Sequence, residues 1–136
     1  FLEKHDELLR KFQYSAAFTR VLRIHWKDEP EMVVNFMQEL IRQSALRKAI
    51  AGRSDKQLKN VILFLVQNLS DPRFTRILVD VGLSLVDVYM SQINRSPEMQ
   101  ALFRRLNQAL STEIGSLIKM KELSGQLQSL INSQIK

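Results

Sequence analysis

The chain contains no cysteine, few residues that interrupt helices and no long apolar run. Without cysteine among its 136 residues, disulfides, thiolate metal sites and a cysteine nucleophile are excluded. Four glycines and three prolines are too few for the frequent turns of an all-β protein. The longest apolar run, Val61 to Val66, falls far short of the roughly 18 residues of a membrane span. We therefore expect an all-α protein that does not associate with a membrane.

Residues suited to catalysis or metal binding are also scarce. His5 and His25 belong to different predicted helices and form no H-E-x-x-H or similar spacing, so no metal site is predicted. The scattered glycines build no phosphate-binding loop, and no G-x-S-x-G elbow is present. Asp80, Ser84 and Asp87 share a helical face and could in principle support acid–base chemistry. A polar stripe paired with a neighbouring arginine is the simpler interpretation, and we predict no enzyme, no cofactor and no small-molecule substrate.

Three prolines, one glycine and one capping box divide the chain into helices. Pro30, Pro72 and Pro97 each follow an acidic residue or a serine, which is the pattern of a helix start. Gly52 is expected to end a helix. The next four-residue signal, Ser54 to Gln57, has the S-x-x-Q form of a capping box.

Apolar residues recur at helical spacing between these signals. Two short helices, one around Leu2 to Phe12 and one around Ala16 to Trp26 with Ser15 as its N-cap, predict a hairpin. A later helix should bend near Ser44, and the segment Leu58 to Val66 is apolar nearly all round and belongs at the core centre. We predict an all-α bundle of about six or seven helices, forming one domain over residues 1–136. Its core should include Phe36, Leu40, Ile62, Leu65, Phe74, Leu78 and Leu85.

The last helix is predicted to be longer than the bundle. No proline or turn cluster follows Pro97, and a helix of roughly 39 residues is about 58 Å long. A 136-residue globule is only roughly 35–40 Å across, so the helix should project from about residue 112 or break. Gly115 and Gly125 are the expected bend points, or points where another helix approaches closely. Because an exposed apolar stripe indicates association, the predicted partner-binding residues are Leu117, Leu123, Leu127, Leu130 and Ile131.

The chain carries a net charge of +6, and basic residues are dense around the predicted turn at Gly52. Such a balance suits polyanions such as RNA, but it also serves solubility. Because no aromatic residues are interleaved, these cations predict phosphate contacts rather than base stacking. The candidate RNA-binding residues are Arg42, Arg47, Lys48, Arg53, Lys56 and Lys59, with a solvated basic corner as the alternative.

Three stretches of the sequence resemble a known family. They are residues 11–22, KFQYSAAFTRVL, residues 37–53, MQELIRQSALRKAIAGR, and residues 70–81, SDPRFTRILVDV. In order and spacing they are similar to the C-terminal domain of the U3 small nucleolar RNA-associated protein 15 family. Members of that family are WD-repeat subunits of the small-subunit processome. The resemblance covers nearly the whole chain and weakens after about Ser111.

The resemblance implies a helical C-terminal piece of a longer protein, and the start at Phe1 instead of Met agrees with this expectation. It implies a nucleolar, non-catalytic scaffold that acts in pre-ribosomal RNA processing and small ribosomal subunit assembly. The implied partners are helical C-terminal domains of sister processome subunits. Direct, non-specific binding of pre-ribosomal or small nucleolar RNA through the basic residues is the alternative.

Overall fold

A computed structural model describes residues 13–135, which form six α-helices and one 3-10 helix and contain no strand. The helices are α1 (Tyr14–His25), α2 (Pro30–Arg42), α3 (Leu46–Ile50), α4 (Asp55–Asn68), α5 (Thr75–Tyr89) and α6 (Pro97–Ile135), with the 3-10 helix Met90–Arg95 joining α5 to α6. The predicted all-α bundle with a long C-terminal helix is confirmed. The first helix of the predicted hairpin, from Leu2 to Phe12, lies outside the described residues.

Most helices begin where the sequence signals predicted. Pro30 and Pro97 are the first residues of α2 and α6, and the Ser96 hydroxyl accepts a hydrogen bond from the first turn of α6. The capping box of α4 is formed as predicted. The Gln57 amide donates to Ser54 Oγ at 3.3 Å, and the Ser54 amide donates to Gln57 Oε1 at 3.2 Å. These bonds satisfy donors that have no partner within the helix.

Two predicted helix starts were wrong by a few residues. Gln13, not Ser15, occupies the N-cap position of α1, and Ser15 lies inside the first turn. After Asp71 the chain forms a turn before α5 begins at Thr75. The Thr75 amide donates to the Asp71 carbonyl at 3.0 Å, so this turn closes ahead of the regular helix.

Short left-handed segments and one close helix contact set the packing of the bundle. Ser44, with a φ of 55°, produces the predicted bend between α2 and α3, and Gly52, with a φ of 68°, produces the predicted stop before α4. Gly82 has a different role, because a Cβ atom there would lie 2.8 Å from Leu110 Cδ2. Glycine at position 82 therefore lets α5 and α6 pack closely.

The core lies between the helices, and α4 contributes much of it. The fully buried residues of α4 are Leu58, Val61, Ile62, Phe64 and Leu65, which confirms its predicted central place. The predicted core residues are buried except Phe36, which is only partly covered and stacks on Phe18 with ring centroids 6.3 Å apart. The bundle thus forms a rigid base from which α6 extends.

The segment Thr75–Arg95 is long and apolar enough to cross a membrane by length and composition alone. In this bundle its inward face is part of the shared core, where Leu78, Val81 and Leu85 are buried. A core helix needs the same apolar composition. The absence of membrane association stays a prediction.

Candidate functional site

The C-terminal helix packs on the bundle through only its first half. Its buried residues end at Leu110, and Ile114 and Leu117 are partly buried against the core. Every residue from Ile118 to Ser133 is exposed, over a length of about 24 Å. The helix is continuous through Gly115 and Gly125, where an added Cβ would meet nothing within 4 Å. Neither glycine is therefore a bend or a point of close approach within the described chain.

Five exposed apolar side chains form a stripe on this projecting half, which we call the distal stripe. It consists of Met120, Leu123, Leu127, Leu130 and Ile131, which are between 45% and 64% exposed. The first four follow one another at intervals of three or four residues, and Ile131 lies four residues after Leu127, so all five fall within about 100° of arc around the helix. Four of the predicted partner-binding residues belong to the stripe, whereas Leu117 packs partly on its own core. Met120 was missed, although its spacing from Leu123 could have identified it.

The distal stripe does not continue the face by which α6 packs on its own bundle. At about 100° per residue, the core-facing residues Met99, Leu106 and Leu110 point roughly 90° away from the centre of the distal stripe. A partner bound to the distal stripe would therefore contact a face of α6 about a quarter turn away from the face that packs on the bundle. The stripe has the spacing by which amphipathic helices recognise one another.

A shallow groove of about 470 Å³ leads from the bundle onto the distal stripe. Pro72, Arg76 and Ile77 contribute to one wall, and Leu117 and Met120 contribute to the other. Met120 belongs to both the groove and the distal stripe. The apolar surface available to a partner therefore begins beside α5 and runs outward along α6.

The cations predicted to bind RNA are largely paired with carboxylates. Arg42 donates through Nε to Glu39 Oε2 at 2.9 Å, and hydrogen bonds from Arg42 and Gln43 lower the pKa of the Glu39 carboxyl to about 2. Two further ion pairs join Arg47 Nη1 to Asp87 Oδ2 at 2.7 Å and Lys59 Nζ to Glu98 Oε1 at 3.4 Å. Of the six predicted residues, only Lys48 and Lys56 are exposed and make no ion pair with any described residue. The predicted basic patch is thus partly neutralised by residues distant in sequence.

Arg53, the remaining member of that patch, is 4% exposed and points inward. Its Nε and Nη2 atoms donate to the Ala49 carbonyl at 3.1 and 2.9 Å. Its Nη1 atom donates to Thr19 Oγ1 at 2.9 Å, and Nη2 also donates to the Ser15 carbonyl at 3.1 Å. The guanidinium lies 4.9 Å from the centre of the Phe18 ring, and burial lowers its pKa from the ordinary value. Arg53 therefore joins α1 to α3 and is not available to a ligand.

Tyr89 completes this internal connection and was not recognised from the sequence. Its hydroxyl accepts a hydrogen bond from the Arg53 amide at 2.9 Å and donates to the Ile50 carbonyl at 2.6 Å. The partners are almost forty residues away along the chain, so no local pattern indicates them. This contact fixes the C-terminal end of α5 against the turn at Gly52.

The carboxylates considered for acid–base chemistry do not form an enclosed site. Asp80 and Asp87 are exposed, and Asp87 is paired with Arg47, as the simpler interpretation proposed. His25 is buried, with Nδ1 3.2 Å from Glu29 Oε1. Within residues 13–135 no group of three or more histidine or carboxylate side chains is placed to hold a metal ion.

The comparison with known proteins agrees with the resemblance found in the sequence. Residues 1–130 match the family model described as UTP15 C terminal. Proteins named U3 small nucleolar RNA-associated protein 15 homolog are 35% identical in Gallus gallus and 34% identical in Homo sapiens, each over 130 residues, or 95% of this chain and 25% of the relative. The homolog of Danio rerio is 33% identical over 133 residues, or 97% of this chain and 26% of the relative.

This chain thus spans about a quarter of the length of the curated relatives that it matches. The family model covers nearly all of it, including every helix of the bundle and most of α6. The chain therefore belongs to the UTP15 C-terminal family.

Proposed function

We propose that this chain is a non-catalytic scaffold domain of the small-subunit processome that binds a helical domain of a sister subunit. In this role it would act in pre-ribosomal RNA processing and small ribosomal subunit assembly, in the nucleolus. The names of its relatives associate them with the U3 small nucleolar RNA, which supports the proposed place in this assembly. The distal stripe supports the mode of binding.

The exposure of the distal stripe is the observation that carries the proposal. Leu123, Leu127 and Leu130 are 60–64% exposed on a helix that the rest of the described chain does not cover. Full burial of a leucine contributes about 1.5–3 kcal/mol, so covering the exposed part contributes about 1–2 kcal/mol for each. An uncovered stripe of this kind is typical of a helix that docks on another helical surface.

The proposal is tested by the double variant Leu127→Asp with Leu130→Asp. The full protein is recovered from nuclear extract after nuclease treatment, and sister processome subunits are quantified. Loss of the two leucines should weaken the contact by about 2–4 kcal/mol, which is roughly 30- to 900-fold, before the cost of burying two carboxylates is added. Nuclease treatment removes associations that only RNA bridges.

The matched control is Ser129→Asp with Asn132→Asp, which adds the same charge to the opposite face of the same helix segment. Both variants should keep the helicity and melting temperature of the parent because all four positions are exposed. The control should recover sister subunits normally. Equal recovery with the leucine variant would refute binding through the distal stripe, and unfolding of that variant would show that α6 packs on its own bundle.

RNA binding through the corner from Arg42 to Lys59 is the second candidate and has less support. Lys48 and Lys56 remain exposed and unpaired within the described chain, whereas Arg53 is buried and the other three are in ion pairs. This candidate requires that replacing Lys48 and Lys56 with glutamate abolish RNA binding at low salt. Unchanged RNA affinity would show that these cations form only a solvated basic surface.

A further inference from the structure

A second charged surface lies on α1 and the turn that follows it, outside the basic corner predicted from the sequence. Arg20 and Arg23, three residues apart, share one face of α1, and Lys27 lies in the turn that directly follows the helix. The buried residues of α1, which include Phe18 and Val21, lie on the opposite face. We call these three cations the basic ridge.

The basic ridge differs from the corner because no described carboxylate forms an ion pair with its cations. None of the three makes an ion pair with a residue that the structure describes, and Arg20 Nε is a buried nitrogen without a hydrogen-bond partner there. The sequence from residue 8 to residue 27 contains no aspartate or glutamate. By contrast, the cations of the corner are partnered by Glu39, Asp87 and Glu98. Among the described residues the ridge is therefore a local excess of positive charge with no carboxylate in an ion pair.

We propose that the basic ridge binds the phosphate backbone of RNA without reading its sequence. Lysine and arginine on a convex helix face supply phosphate contacts, and these contacts position a protein on RNA but carry no sequence information. The aromatic residues of this segment are not arranged for base stacking, since Phe18 is buried and Trp26 packs edge-on against Phe64. The basic ridge shares no residue with the distal stripe, so RNA binding here goes beyond the proposed scaffold function. The outcome of the RNA titration therefore does not depend on the outcome of the subunit-recovery experiment.

An acidic protein surface and an anionic membrane fit the basic ridge less well than RNA does. A protein interface is usually anchored by buried aromatic or aliphatic side chains and is depleted in lysine, whereas the exposed apolar residue beside the ridge is the small Ala16. An amphipathic helix at a membrane surface inserts its apolar face into the lipid. The apolar face of α1 is already occupied by the core, where Phe18 and Leu22 are at most 3% exposed.

The expected salt dependence of RNA affinity follows from the number of phosphate contacts. Three contacts to a single strand give a slope of log affinity against log salt of about −2. Affinity should then fall roughly 20-fold between 25 and 100 mM salt. At the lower concentration, removing all three contacts should weaken binding on the order of 100-fold or more.

The test measures the fluorescence anisotropy of a labelled 20-nucleotide oligouridine titrated with the whole chain. The ridge variant carries Arg20→Gln, Arg23→Gln and Lys27→Gln. The corner variant carries Arg47→Gln, Lys48→Gln and Lys56→Gln, and removes the same net charge. Because Arg20 is half-buried, a double variant of the exposed Arg23 and Lys27 is measured as well, and circular dichroism establishes that each variant is folded.

We expect the ridge variant to lose binding and the corner variant to keep the affinity and salt slope of the parent. The double variant should lower the salt slope by about two thirds, since two of three contacts are removed. Absence of parent binding at 25 mM salt would overturn the proposal, as would equal losses in both triple variants, because net charge alone would then explain binding. Tighter binding to anionic phospholipid vesicles than to oligouridine at the same salt would assign the ridge to a membrane instead.

Discussion

Replacing Arg53 with methionine should destabilise the bundle, although Arg53 lies in a cluster of surface cations along the sequence. The variant removes four side-chain hydrogen bonds that join Arg53 to Ser15, Thr19 and Ala49. Bonds to a charged group contribute about 1.5–3 kcal/mol each, and a buried carbonyl left without a donor costs about 1–3 kcal/mol. Relief from burying a charge offsets part of this loss. We therefore expect a net loss of about 2–4 kcal/mol.

Thermal unfolding followed by circular dichroism measures this loss. For a chain of this length, about 2–4 kcal/mol corresponds to a decrease in melting temperature of roughly 7–14 °C. Arg53→Lys should lower the melting temperature as much as Arg53→Met, because an ammonium group cannot reproduce the planar guanidinium that bonds to α1 and α3 together. Arg47→Met is the matched control, since it breaks an exposed ion pair, which contributes at most about 1 kcal/mol. A melting temperature of Arg53→Met within about 2 °C of the parent would refute a stabilising role of Arg53 between α1 and α3.

Three further predictions test the caps, the helix contact and one carboxyl group. Ser54→Ala should lower stability by about 1 kcal/mol through loss of the capping box, as measured by urea denaturation, and an unchanged midpoint would contradict this. Gly82→Ala should destabilise the bundle by about 1 kcal/mol because the added Cβ would press on Leu110. Gly125→Ala should not destabilise it, because that position faces open space. If Gly125→Ala were the more destabilising change, α5 and α6 would not pack as described. In an NMR titration Glu39 should titrate at a pKa of about 2, and Arg42→Gln should raise it towards the ordinary 4.5. Because this pKa is lowered by folding, the stabilisation is present above pH 4.5 and is lost as the pH falls towards 2.

Local chemistry made much of the fold predictable from the sequence. Pro30, Pro97 and the capping box at Ser54 set helix starts through interactions within a few residues, and the structure places helices there. The start of α5 was displaced because the Asp71 carbonyl accepts hydrogen bonds that close a turn first. The boundary thus depended on a competition between two local bonding patterns, which composition alone does not resolve.

The charged surface could not be predicted because it depends on contacts between distant segments. Arg47 is neutralised by Asp87, forty residues later, and Arg53 is drawn inward by α1 and by Tyr89. A cluster of cations along the sequence therefore became a mostly paired corner. The basic ridge on α1 was visible in the sequence only as a stretch without acids, and its exposure depends on which face of α1 the core covers.

Hydrogen–deuterium exchange of α6 tests the central claim, that the distal stripe is a contact surface for another helical domain. In the isolated chain the amides of residues 118–133 should exchange far faster than those of α4, because isolated helical segments are marginally stable in water. In the reconstituted complex with the helical C-terminal domains of sister subunits, the same amides should slow by at least tenfold. Protection equal to that of α4 in the dilute isolated chain, or no change on complex formation, would contradict the account.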